Sequence, residues 1–174
     1  MACNEIESII KSCDNNTGGI YSAYIGDMDD IATIVENQAT WSVTTMTLAA
    51  LTPALAFYFK RNTSNYTDEV ASDLVAGSSF ATSTINLVFH RRDADKSKAI
   101  KILGEGQRYL YVVIGDANGL FWYFPYMQLT ANTGGSGTAR ADGSNYNVTL
   151  VGQNEFTAYT MSANLAASLL VATS

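Results

Sequence analysis

A chain of 174 residues, 47% hydrophobic and 15% charged, has the size and apolar content for a single domain (1–174) whose core needs neither disulfides nor a metal. Its formal charge of −6 disfavours a general nucleic-acid-binding surface. Residues 1–73 hold ten acids and three bases, and residues 74–108 three acids and six bases, so one basic patch sits in an acidic chain.

Cys3 and Cys13, with the distant His90, are too few for zinc and too sparse for a disulfide framework, and they read as reduced thiols. The opening MACNEIESII lacks a basic region before an apolar core. Met46 to Phe59, broken by Thr47, Thr52 and Pro53, is shorter than the roughly 20 residues that span a bilayer. A soluble protein of a reducing compartment is expected. The Asn-X-Ser/Thr matches at Asn15, Asn62, Asn65 and Asn147 are then accidents of composition.

Glu5 to Lys11 can form a helical turn or two, ended by Asn15 to Gly19. Residues 1–19 and 162–174 are candidate arms. Ile20 to Ile25 and Ile31 to Val35 read as strands around an acidic turn, Gly26 to Asp30. Asp27, Asp29 and Asp30 lack the glycine and distal Glu of an EF-hand, so no calcium site is assigned. Thr40 to Leu48, with Trp41, Val43 and Thr45 on one face, is a third strand. After Pro53, Ala54 to Lys60 sets Phe57 and Phe59 against Tyr58 and Lys60.

The clearest pattern follows. Ser64 to Val75 carries Asn65, Thr67, Glu69 and Asp73 on one face and Tyr66, Val70 and Leu74 on the other. After a turn at Ala76 to Ser79, Phe80 to Phe89 sets Ile85, Leu87 and Phe89 against Thr82, Thr84 and Asn86. Period two is what a half-buried strand requires, so 64–89 is a long hairpin with one polar face.

Asp93 is a good N-cap for a helix over Ala94 to Leu103, with Ala99, Ile102 and Leu103 as its apolar stripe and Gly104 as its stop. Arg91, Arg92, Lys96, Lys98 and Lys101 give it a basic face. No aromatic or glycine loop accompanies them, which favours a solvated face or a docking face for an acidic neighbour over a nucleic-acid patch.

Tyr109 to Ile114 and Leu120 to Phe124 are apolar on both faces and should be covered on both; Gly115 to Gly119 is their turn. Met127 to Ala131 reads as a short strand, Asn132 to Gly137 as a mobile loop, and Asn145 to Val151 and Phe156 to Met161 as further strands. Asn164 to Val171 reads as a helical turn or an arm.

Catalytic chemistry finds no foothold. There is no G-x-S-x-G elbow and no P-loop, Gly104-Glu105-Gly106 lacks the context of a dinucleotide fingerprint, and nothing pairs two of the sixteen carboxylates. His90, beside Arg91 and Arg92, reads as a surface or interface residue. No catalytic residue, metal or cofactor is assigned, and a non-enzyme is expected.

About ten short strands and one helix imply a mainly β fold, an antiparallel sandwich or barrel with a flanking helix. The long hairpin would leave open edges, which identical neighbours can satisfy by closing a ring. A structural homo-oligomer is expected.

Several segments, in order, carry a resemblance. They are Cys13-Asp14-Asn15 with Gly18-Gly19-Ile20; Ile85-Asn86-Leu87-Val88-Phe89 leading to Asp93 and the Lys-rich helix; Asp116-Ala117-Asn118-Gly119-Leu120-Phe121-Trp122; and Gly137-Thr138-Ala139 with Asp142 to Leu150. Together, from about residue 13 to about 161, they resemble the tail tube proteins of tailed bacteriophages.

The resemblance implies subunits in rings, commonly hexameric, stacked into a conduit in the virion tail and assembled in the host cytoplasm. Their partners would be other tail or connector proteins and passing DNA, with no membrane. A conduit should line its lumen with acidic and neutral groups so that phosphates slide without binding. The lumen candidates are Glu69, Asp73, Thr82, Thr84 and Asn86; Tyr66, Val70, Leu74, Ile85, Leu87 and Phe89 are candidates for core or interface. The alternatives are a head-tail connector ring, a ring of a crAss-like phage, or a monomeric carbohydrate- or peptide-binding β-sandwich.

Overall fold

The computed structural model describes residues 9, 13, 14, 16–59, 62–73, 75–139 and 141–171. Among them the fold is mainly β: β1 (Ile20–Asp27), β2 (Ile31–Asn37), β3 (Ser42–Leu48), β4 (Leu55–Tyr58), β5 (Asn65–Asp73), β6 (Ser78–His90), α1 (Ala94–Leu103), β7 (Leu110–Asp116), β8 (Phe121–Gly135), β9 (Asn145–Asn154), β10 (Tyr159–Met161) and α2 (Ala163–Ser168). Cys3, Leu74 and the turns expected over Glu5 to Lys11, Ile9 apart, lie outside the described residues, as does Lys60 at the end of the fourth expected strand.

β8 organises the rest. Its first half pairs with β7 and β10 and its second half with β9, so it belongs to two sheets. The first sheet runs β2-β3-β10-β8-β7-β1-β4 and the second β5-β6-β9-β8. Neighbouring strands are antiparallel as expected, except that β10 runs parallel to β3.

Two strands and a mobile loop were expected where this one strand runs. The pairing with β7 shifts between Leu110 and Val112, opposite Met127 and Phe124, which makes room for Pro125 and for Tyr126 at φ +51°. A bulge accommodates a proline without ending the strand and increases its twist. The strand then continues through Asn132 to Gly135, held by β9.

The core fills both sides of the first sheet. Between the sheets, Ile25, Val112, Ile114 and Phe124 pack with Ile85, Leu87, Phe89 and Leu150 of the second sheet and with Ile100 and Leu103 of α1. On the far side, Tyr24, Tyr111, Val113 and Tyr123 meet Val43 and Met46 of β3 and Ala166 and Leu169 at α2. β7 and the start of β8 are thus covered on both faces, as their apolar runs require.

Two local expectations change. The buried stripe of α1 is Ile100 and Leu103, while Ala99 and Ile102 are exposed: the helix meets the sheet along an i, i+3 line one position away from the one expected. In β3, Val35 pairs with Thr45 and Glu36 with Val43, so Thr44 is an extra residue; it breaks the alternation, burying Val43 and Met46 and exposing Thr45. α1 itself begins and ends as expected. The Asp93 side chain accepts from Lys96 N at 2.8 Å, and a Cβ on Gly104 would stand 2.5 Å from Leu129 Cδ2. Of the two readings for the C-terminal segment the structure shows the helical turn, with Leu169 O accepting from Ala54 N at 2.8 Å.

Leu150, fully buried between the sheets, is the sharpest probe of this core. Leu150→Ala should lower unfolding free energy by about 2–5 kcal/mol, read from the urea midpoint.

Candidate functional site

The second sheet has one face in the core and one facing outward. Strand partners in an antiparallel pair share a face, so the register settles which residues lie outside. Glu69 pairs with Thr82, Thr67 with Thr84, Asn65 with Asn86 and Asp73 with Ser78. On β9, Thr149 pairs with Asn86, Val151 with Thr84 and Gln153 with Thr82; on β8, Gln128 pairs with Val151, Ala131 with Thr149 and Thr133 with Asn147. All five lumen candidates therefore share one face with Thr, Asn and Gln side chains, interspersed with Phe80, Val88 and Val151. No lysine or arginine lies on that face among the described residues.

The residues on this face do different jobs. Thr149 Oγ1 donates to Asn86 Oδ1 at 3.1 Å, linking β9 to β6. Asp73 caps the hairpin turn, its Oδ1 accepting from Val75 N at 2.8 Å and Ala76 N at 3.1 Å. The Ala76 and Val75 amides hold its carboxyl below the usual carboxylate range. Glu69 is exposed, while Thr82, Thr84 and Asn86 are half-buried by their neighbours.

On the inward face Ile85, Leu87 and Phe89 are core, and Tyr66 packs edge-on against Phe124 at 5.4 Å. Val70 is not core. It is 64% exposed, on the inward side of the hairpin near the point where β6 loses its pairing with β9 at Ala81.

The basic face of α1 is partly committed to the fold. Arg92 lies over the Tyr146 ring at 5.0 Å, and Lys96 bridges Asp93 at 2.5 Å and donates to Arg91 O at 3.1 Å. Arg91, at φ +60°, donates its N–H to Ser144 O at 2.7 Å. Lys98 and Lys101 stay exposed. His90 is exposed beside a groove formed with Tyr58, Phe59, Val88, Phe89 and Lys96, none of them a carboxylate.

Two carboxylates that sequence reasoning missed hold the site in place. Asp68 accepts from Ser83 Oγ and from Ala158 N at 2.9 Å, tying the hairpin to the loop before β10. Asp116, buried, accepts from Asn118 N, Leu120 N and Trp122 Nε1, each at 2.9 Å, and fixes the β7–β8 turn. The second was legible, since Asp at the start of a turn commonly binds the amides that follow it. Asp68 was not, because its partners lie 15 and 90 residues away.

Asp27 accepts from Asp29 N at 3.2 Å and meets Arg108 at 3.3 Å. Among the described residues no group of three or more His, Cys, Asp or Glu is placed to share a metal ion, and Cys13 is exposed and unbridged. No described helix is long and apolar enough to cross a membrane. No protein-family model matches the chain, and no curated protein matches it.

Burial pushes the Tyr66 hydroxyl up to about 12, and the Asp116 and Asp68 charges push in the same direction. Its raised folded value stabilises the protein fully below the ordinary tyrosine range and is lost as pH rises from about 10 to about 12. Tyr66→Phe should therefore flatten the fall in stability across that window, measured by urea unfolding at several pH values; an unchanged slope would contradict the assignment.

Proposed function

We propose that this chain is a structural subunit that closes into a ring around a channel, in the manner of phage tail tube proteins, with stacked rings forming a conduit for a genome in the virion. One observation carries the reading. The second sheet combines an outward face free of lysine and arginine among the described residues with two open lateral edges, β5 on one side and residues 128–135 of β8 on the other. Open edges are usually blocked in monomers, and heterologous edge-to-edge contacts generate rings when the rotation closes.

The edges suit each other. Strand direction alternates across β5-β6-β9-β8, so β8 of one copy meets β5 of the next antiparallel. β5 spans the level of β6 from Ser78 to Asn86, whereas the free part of β8, read across β9, spans the level from Thr84 to His90. The edges are thus offset by about five residues over four strands. At about 3.3 Å per residue and about 4.8 Å between strands this is a slope of about 40°, within the 35–45° tilt of closed barrels. Six copies, the number common in the family resembled, would supply about 24 strands and a backbone diameter of about 48 Å.

A wall of Thr, Asn and Gln with Glu69 releases no counterions from a passing phosphate backbone, so DNA gains nothing by stopping. Tail or connector proteins would be the partners at the ends of the conduit, and the face of α1 that carries Lys98 and Lys101 is available to an acidic neighbour.

Native mass measurement should find closed oligomers, and monomers at every concentration and salt would sink the proposal. In the assembled ring, Thr82→Lys with Thr84→Lys should create duplex-DNA retention that weakens steeply as salt rises. Equal retention by the unaltered ring would remove the lumen assignment.

A further inference from the structure

Beyond Ala81, where β9 leaves β6, residues 71–73 and 78–80 form a two-stranded arm whose strands pair only with each other. Every described residue from Glu69 to Phe80 is exposed, including Val70 at 64% and Val75 at 99%. A two-stranded ribbon alone is marginal in water, so an arm with apolar side chains near its tip calls for a surface to rest on.

Such a surface lies next to the opposite edge of the sheet. Tyr109 and Tyr126, each 53% exposed, meet edge-on with 5.9 Å between ring centres. The backbone beneath them is strained: Tyr126, in the β8 bulge, and Gln107 both have φ +51°. Left-handed conformations are costly for such residues and gather at functional surfaces, where bulges re-aim side chains. Beside the tyrosines is a cleft of about 330 Å³ lined by Leu103, Gln107, Arg108, Gln128 and Leu129 among others.

With β5 laid along the free half of β8 at the offset given above, Asp73 of one copy falls within about a residue of the level of Gln128 of the next. We propose that the arm tip of each copy packs on the Tyr109–Tyr126 pair of the next copy, with Val75 against the rings and Asp73 beside Arg108. The inference rests on the ring reading and names the contact that locks neighbouring subunits.

Charge supports the match. Residues 65–89 hold three acids and no lysine or arginine, whereas the receiving cleft carries Arg108. Both turn amides bind Asp73 through Oδ1, which leaves Oδ2 for a cation. Arg108 reaches Asp27 through one terminal nitrogen at 3.3 Å and Glu105 O through Nε at 3.2 Å, which leaves its other terminal nitrogen for a second acid.

Disulfide trapping tests this in a background carrying Cys3→Ser and Cys13→Ser. Val75→Cys and Tyr126→Cys together should give, on mild oxidation, a covalent ladder from dimer up to the full ring, and either change alone should give none. Val75→Asp should raise the concentration for half-assembly at least tenfold while leaving the circular dichroism of the dilute chain unchanged. Oligomers by native mass without a ladder would overturn the arm contact and leave the ring standing. Dimers from either single variant would overturn it by showing a twofold contact instead, and monomers alone would overturn both readings.

Discussion

The fold depends on the bend of β8. A single 15-residue strand serves two sheets, and it can do so because Pro125 and Tyr126 interrupt its pairing with β7 while the chain keeps its direction. Below the bend its neighbours are β7 and β10; above it, β9. Gly152 of β9 is part of the same constraint, since a Cβ there would stand 2.6 Å from Met127 Sδ and 3.1 Å from Tyr126 O. The absence of a side chain at that position lets β9 follow the turn. A bulge that raises local twist and a glycine that permits close approach together open the angle in which the first hydrophobic cluster collects.

The two faces of the second sheet show how much apolar area decides. Inward, β6 from Ala81 to Phe89 and β9 from Tyr146 to Leu150 carry Ala81, Ser83, Ile85, Leu87, Phe89, Tyr146, Val148 and Leu150, all buried. Outward, the same strands carry Thr82, Thr84, Asn86, Asn147, Thr149 and Gln153, with Val88 and Val151 half-buried among them. A face of short neutral polar side chains neither drives collapse nor attracts counterions strongly. It can border water without becoming sticky.

Much of this was legible in the sequence. Alternation with period two placed the hairpin, and the register sets Glu69, Asp73, Thr82, Thr84 and Asn86 on one side as that alternation requires. Asp93 and Gly104 bounded α1 because capping is a local matter. What failed to read was non-local or involved one extra residue. Thr44 and the Pro125–Tyr126 bulge each break a period without leaving a mark that separates a bulge from a strand end. Val70 belongs to an apolar alternation, yet whether its side is covered depends on where the rest of the core lies, which is set far along the chain. Asp68 is invisible for the same reason, its partner Ala158 being 90 residues away.

In the ring proposed above, the offset between β5 and the free half of β8 would bear on number as well as on contact. An open sheet whose two sides fit each other can add copies without limit, and only curvature stops it: each copy turns the wall by a fixed angle, and growth ends when the turns complete a circle. In the proposed ring that angle would follow from the coil of the four strands within each copy. In the proposed ring the count would therefore be set within each copy. A flatter sheet would give a wider ring, and one whose rise did not cancel around the circle would give a helix with no closure at all.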